Sequence, residues 1–243
     1  MNLIIDIGNT QYKVCVFNNL KIVYHAYLSK LKKSFISGLI AEYQIKKAIY
    51  SDTRGVDKAE FLKNIPAQLP IIELTHKTFL PVTIEYKTPE TIGKDRIAGA
   101  VAAYNMFKGN ACLVIDIGTA ITIDFIDESG VFKGGVISPG PETRYKSLHE
   151  YTGRLPMVEP VENTELLGNS TQTAIQAGVQ NGILFEINGY ISRFKEEYAD
   201  LKIIITGGFA FLFDKKINYP IFADSFLIPK GLNSILIHND KQT

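Results

Sequence analysis

Apolar residues along this chain fall into short runs, and each run stops at a polar or glycine-bearing turn. The first is Leu3-Ile4-Ile5-Asp6-Ile7-Gly8-Asn9-Thr10. An apolar run broken by Asp6 and closed at Gly8 predicts a buried strand that ends in a tight turn. The same arrangement returns as Leu113-Val114-Ile115-Asp116-Ile117-Gly118-Thr119-Ala120. Two further strands are predicted after each copy. Gln11 to Phe17, a turn at Asn18-Asn19 and Lys21 to Leu28 follow the first. Ile121 to Ile126, a turn at Asp127 to Gly130 and Val131 to Ser138 follow the second. Either stretch alone is accounted for by a plain strand and turn. The repetition of strand, turn, strand, hairpin and strand predicts a duplicated domain.

Helical spacing of apolar residues fills the intervals. It predicts helices over Leu31 to Tyr43, Val56 to Ile65, Ile97 to Phe107, Glu142 to Tyr151 and Ser170 to Tyr198, with shorter ones over Phe209 to Phe213 and Gly231 to Ile237. Strands are expected at Ala48 to Tyr50, Ile71 to Leu74 and Leu201 to Ile205, with a short one at Val82 to Tyr86 in an otherwise irregular segment. The expected domains are residues 1–110, with the first turn, and 111–243, with the second. Ala174, Ala177, Gly178 and Gly182 make one side of the long helix small, which permits close packing inside the fold or against a second subunit.

The turns carry the candidate chemistry. Gly8 lets backbone approach a ligand without a Cβ in the way. Asn9, Thr10 and the turn's N–H groups are donors suited to phosphate oxygens, and Asp6 suits a metal that travels with phosphate. Two such turns facing each other would grip a polyphosphate from both sides. A second constellation is Gly93-Lys94-Asp95-Arg96, opening a predicted helix. From the residues alone, Asp95 reads as a cap contributing about 0.5–2 kcal/mol, and Arg96 as a surface ion pair contributing about 0–1 kcal/mol.

Composition narrows the class. The chain has 243 residues, 46% hydrophobic and 21% charged, with net charge +1, so nothing points to nucleic acid or an anionic membrane surface. No uncharged apolar run approaches the ~20 residues that span a bilayer, and no basic leader precedes Asp6. The two cysteines, Cys15 and Cys112, lie in strand-like segments and read as small core residues. A cytoplasmic enzyme is expected.

The paired Asp-x-Gly-Asn-Thr and Asp-x-Gly-Thr-Ala-x-Thr-x-Asp turns resemble the phosphate loops of the actin-like and sugar-kinase-like ATPases. With Gly93–Arg96, Gly134–Gly140, Leu155-Pro156, Gly168–Gly178 and Thr206–Gly208 in that order, the chain closely resembles type III pantothenate kinases. The resemblance implies an α/β fold of two duplicated ribonuclease-H-like subdomains, with mixed sheets around a nucleotide cleft. It implies transfer of the ATP γ-phosphate to pantothenate, the entry step of coenzyme A synthesis, by a homodimer. Asp6, Ile7, Gly8, Asn9, Thr10, Gln11, Tyr12 and Lys13 would bind ATP with its Mg²⁺, the metal on Asp6. Thr119 would contact phosphate, and Asp116 would serve a potassium or ammonium ion. Asp95 would be the general base, and Tyr86, Gly93, Lys94, Arg96 and Thr171 would line the substrate pocket. Lys94 stands where the family often has a small residue, and Cys15 where it usually has glycine, which questions any need for close backbone approach or positive φ there. Two rivals share the turns: a non-catalytic ATP-binding regulatory or filament protein, and a sugar kinase.

Overall fold

Strand alternation around Asp6 sets up the first unit. In the computed structural model, which describes residues 1–240, β1 (Asn2–Ile7) pairs antiparallel with β2 (Tyr12–Asn18). Beyond β2 lies β3 (Lys21–Leu28), antiparallel to it. On its other side β1 pairs parallel with β4 (Lys47–Asp52), and β4 with β5 (Ile71–Glu73). A two-residue strand, β6 (Thr83–Ile84), follows in the chain. Side chains alternate between the faces of a strand. Leu3, Ile5 and Ile7 therefore pack with Ile36 and Leu39 of α1 (Lys33–Tyr43) and Phe61 of α2 (Lys58–Leu62). Ile4, Cys15 and Phe17 pack on the opposite face with Ala98 and Val101 of α3 (Lys94–Met106). Leu232 and Ile235 of the C-terminal helix join that cluster. Cys15 is an ordinary strand residue paired with Ile4 and His25, so the position needs no positive φ in this chain.

The second unit repeats the topology. Its strands are β7 (Cys112–Ile117), β8 (Ala120–Ile126), β9 (Val131–Pro139), β10 (Lys202–Thr206) and β11 (Phe222–Ala223). β7 pairs antiparallel with β8 and parallel with β10, as β1 does with β2 and β4. The orders β3-β2-β1-β4-β5 and β9-β8-β7-β10-β11 correspond strand for strand, which bears out the duplicated α/β fold. Leu113, Ile115 and Ile117 pack with Tyr145 of α4 (Pro141–Glu150) and with Val179, Ile183 and Ile187 of α5 (Thr171–Glu197).

Expectations about the units and about two of the helices differ from the structure. The compact units are Met1–Met106 together with the described residues from Phe226 on, and Phe107–Ser225. The C-terminal segment thus belongs to the first unit, not to 111–243. The reason is α6 (Leu227–Asp240), whose Leu232, Ile235 and Leu236 are buried against the first sheet. That helix starts earlier than Gly231, because Pro229 is tolerated in a first turn. Phe209 to Phe213 forms only a 3₁₀ turn, Ala210–Leu212.

Candidate active site

The two turns are similar but not equal in length. Asp6 pairs with Lys13 and Ile7 with Tyr12, leaving residues 8–11 as the first loop. Asp116 pairs with Thr122 and Ile117 with Ile121, leaving 118–120 as the second. In the first, the Gly8 N–H donates to the Gln11 carbonyl at 3.2 Å, so that donor is already used within the turn. In the second, Gly118 N–H donates to Ala120 O at 3.0 Å. A Cβ on Gly8 or Gly118 would meet nothing closer than 3.5 Å and 3.7 Å, ordinary contact distances, so packing within each turn does not demand glycine. The glycines that buttress the second turn differ. A Cβ on Gly140 would lie 2.0 Å from Gly118 O, and Gly207, at φ +100°, comes against Ile117 and Asp116.

Register also repeats at the acidic residues. Asp6 lies beside Ser51 on the parallel neighbour, and Asp116 beside Thr206. The Ser51 hydroxyl is wholly buried and donates to Asp6 Oδ1 at 2.8 Å. Alternation along β1 sends Asn2, Ile4 and Asp6 to the α3/α6 face. Asn2 meets Asn233 of α6 at 2.8 Å, Ile4 packs with Ala98 of α3, and Asp6 comes within electrostatic range of Asp95. Burial raises the Asp6 pKa above the usual carboxylate range against the lowering pull of Ser51 and Lys13, and Asp95 adds a smaller push upward. The first turn and the second constellation therefore converge within one unit.

Helix α3 begins at Lys94, and the Ile97 N–H donates to Gly93 O at 3.2 Å. Gly93 thus takes the cap position and Asp95 the first turn, which corrects the reading of Asp95 as the cap. Its Oδ1 accepts from the Arg96 N–H at 2.8 Å and sits where a Cβ on Gly93 would come, 2.4 Å away. Burial raises the Asp95 pKa against the lowering effect of that hydrogen bond and of the Arg96 charge. Arg96 is buried rather than on the surface, at 6% exposure, with its Cζ 5.9 Å from the Tyr86 ring centroid. Lys94 lines a cavity of about 310 Å³ with Glu73, His76 and Pro89.

Thr119 is exposed, and its carbonyl accepts from the Gly140 N–H at 3.0 Å and the Thr143 hydroxyl at 2.7 Å. Thr171 is the exposed first residue of α5. The cap of that helix is Ser170, in a reciprocal arrangement with Thr173. Lys13 projects between the rings of Tyr27 and Phe226, 5.5 Å and 5.9 Å from their centroids. Sequence reasoning missed Arg54, whose Nε donates to Gly8 O at 2.8 Å and whose guanidinium stacks 5.0 Å from Tyr12. Its only sequence signal was Asp52-Thr53-Arg54-Gly55, a turn-type run directly after a strand.

No cluster of three or more His, Cys, Asp or Glu side chains that could hold a metal occurs among the described residues. Asp6 fits Mg²⁺ brought in by a phosphate ligand, because that ion is usually held by one or two carboxylates plus substrate oxygens. Among the described residues no helix is long and apolar enough to cross a membrane.

Comparison with known proteins agrees with this fold. A Campylobacter jejuni structure assigned to the Baf family is 25% identical, with a TM-score of 0.64 over 98% of this chain and 99% of that one. An inorganic polyphosphate/ATP-glucomannokinase from Arthrobacter sp. strain KM shares the fold at 16% identity and a TM-score of 0.50, covering 100% of both chains. A type III pantothenate kinase of Bacteroides fragilis is 44% identical over 240 residues, 99% of each chain. One from Phocaeicola vulgatus is 43% identical over 243 residues, 99% of this chain and 100% of that one. The sequence profile of type III pantothenate kinase matches residues 2–193. With two glycine turns on a duplicated sheet, Asp95 beside the buried Arg96 at the start of α3, and these relatives over nearly its whole length, the chain belongs to the type III pantothenate kinase family.

Proposed function

We infer that this chain is an ATP:pantothenate 4′-phosphotransferase, producing 4′-phosphopantothenate for coenzyme A synthesis. The observation that carries the reading is the convergence of Asp6, Lys13, Asp95 and Arg96 in one unit of a family member. ATP supplies the phosphoryl group and Mg²⁺ neutralises charge on its phosphates. The chain's own residues position the reactants. Asp6 holds the metal side of the phosphates, with Ile7 to Lys13 forming the turn around them. Asp95 accepts the proton of the primary hydroxyl as it attacks the γ-phosphate. The buried Arg96 guanidinium binds the pantothenate carboxylate, a fork matched to two oxygens. Tyr86 backs that guanidinium, and Gly93 leaves room for the Asp95 carboxylate beside it. Lys94 borders the substrate pocket in this scheme. Asp116 serves a potassium or ammonium ion, a hard-cation role that a carboxylate suits.

The enzyme is proposed to act as a cytoplasmic homodimer. Support for self-association lies in the exposed Phe185 on α5, at 60%, and in Gly178 on the same helix, around which nothing lies within 4 Å of an added Cβ. An ADP-release assay with pantothenate and with sugars, in potassium, ammonium, sodium and lithium buffers, tests the reading. Turnover with pantothenate alone, and only in potassium or ammonium, is expected. Turnover of sugars, or none at all, contradicts it and favours the sugar-kinase or non-catalytic rival.

A further inference from the structure

The segment after β4 is built as a bracket. The Asp52 carboxylate accepts three backbone N–H groups: Arg54 at 3.0 Å and Gly55 at 2.9 Å on Oδ1, and Val56 at 2.9 Å on Oδ2. Gly55 supplies the positive φ, +78°, that closes the turn. Thr53 ties the bracket to β1, its N–H at 3.0 Å and its hydroxyl at 3.1 Å from Ile7 O. The result aims Arg54 back across the first phosphate turn, where its Nε donates to Gly8 O and its guanidinium lies over Tyr12. Its Nη2 is buried with no hydrogen-bond partner. A buried unpaired donor costs stability and calls for an explanation in function.

The contact made by Nε points to a role at the turn, through the peptide plane. In a trans peptide the N–H points opposite to the C=O. Gripping Gly8 O therefore fixes the direction of the Asn9 N–H on the other side. The second turn uses the same device with neutral donors, since Gly140 N–H and the Thr143 hydroxyl hold Thr119 O and so fix the Ala120 N–H. In the first turn the holder is a cation.

We propose that Arg54 is a positioning residue for the ATP phosphates, acting through the Gly8–Asn9 peptide and adding positive charge beneath the first turn. This rests on the reading that the turn takes ATP. The guanidinium locks the turn in its donor orientation before nucleotide arrives, which lowers the ordering cost of binding.

The test compares Arg54→Ala, Arg54→Gln and Arg54→Lys with wild type, by calorimetric titration with MgADP and by steady-state kinetics. Arg54→Ala should weaken MgADP binding and raise the KM for ATP by about tenfold, the scale of one charged hydrogen bond. The KM for pantothenate should stay unchanged. Arg54→Lys, which keeps the charge and N–H donors but not the planar fork, should fall between wild type and Ala. Arg54→Gln, whose amide nitrogen stands where Nε stood, keeps a neutral donor but not the charge, so if the Ala variant does not fold it should still bind MgADP more weakly than wild type. An unchanged KM for ATP, or equal rises in both KM values, overturns the proposal, as does a Lys variant no better than Ala. The MgADP titration needs no acceptor, so it stands apart from failure of the wild type to phosphorylate pantothenate, which would instead overturn the proposed function.

Discussion

Asp6 and Asp95 sit where an ionised carboxylate is costly, and that cost makes a prediction about stability. A carboxyl whose folded pKa is raised binds its proton more tightly in the folded state. Its contribution to folding is present below the unfolded value and is lost as pH rises through the folded one. Both residues are raised by burial, so at neutral pH their charges weigh against folding. Asp6→Asn keeps an acceptor for Ser51 and removes the charge. Thermal melts of the ligand-free protein should show the variant more stable than wild type at pH 7.5, with the gap closing as pH falls towards the carboxylate range; a less stable variant at pH 7.5 contradicts this. Asp95→Asn should leave melting unchanged or raised while single-turnover phosphorylation slows by about 10²- to 10⁴-fold. A loose transition state favours the lower end. A rate within about threefold of wild type would remove Asp95 from the role of base. Asp95 could be singled out from the sequence because Gly-x-Asp-Arg is a local pattern. Arg54 was not, because its meaning comes from crossing to Gly8, 46 positions away.

Elements with strong periodicity were legible. The three-strand starts of both copies and helices α1, α4 and α5 lie within two residues of their expected bounds. β11 has only two residues, Phe222 and Ala223, both exposed, which is too short a run to signal a strand. The extra residue of the first turn was hidden too, because aligned letters do not reveal which residues pair across a hairpin. Helix α6 was expected to be short and was assigned to the wrong unit, since pattern says where a helix lies and not what it packs on. Its packing has one narrow point: a Cβ on Gly231 would lie 1.8 Å from Ala98 O of α3. Gly231→Ala must push α3 and α6 apart, and α3 carries Asp95. Overpacking of this kind costs about 1–3 kcal/mol, so urea denaturation should show a lowered midpoint. Phosphorylation rate should fall as well, because the start of α3 moves relative to β1. Wild-type midpoint and rate together would show that the crossing relaxes freely.

At the scale of the whole molecule, duplication is the organising fact. Two sheets with one topology each place an acidic residue beside a hydroxyl residue on the parallel neighbour, at the mouth of a glycine turn. The first copy alone adds Asp95 and Arg96 on a helix laid over that strand end. This asymmetry is what separates a phosphotransferase with a small acidic substrate from a protein that only holds nucleotide. The central claim is that this arrangement moves the γ-phosphate of ATP onto the primary hydroxyl of pantothenate. It is tested most directly by incubating the purified protein with γ-³²P-labelled ATP, pantothenate, Mg²⁺ and potassium, and identifying the labelled product by chromatography and mass spectrometry. The account predicts label on 4′-phosphopantothenate, formed by wild type and strongly reduced in Asp95→Asn. Label released only as inorganic phosphate, or no consumption of ATP by folded protein, would contradict it.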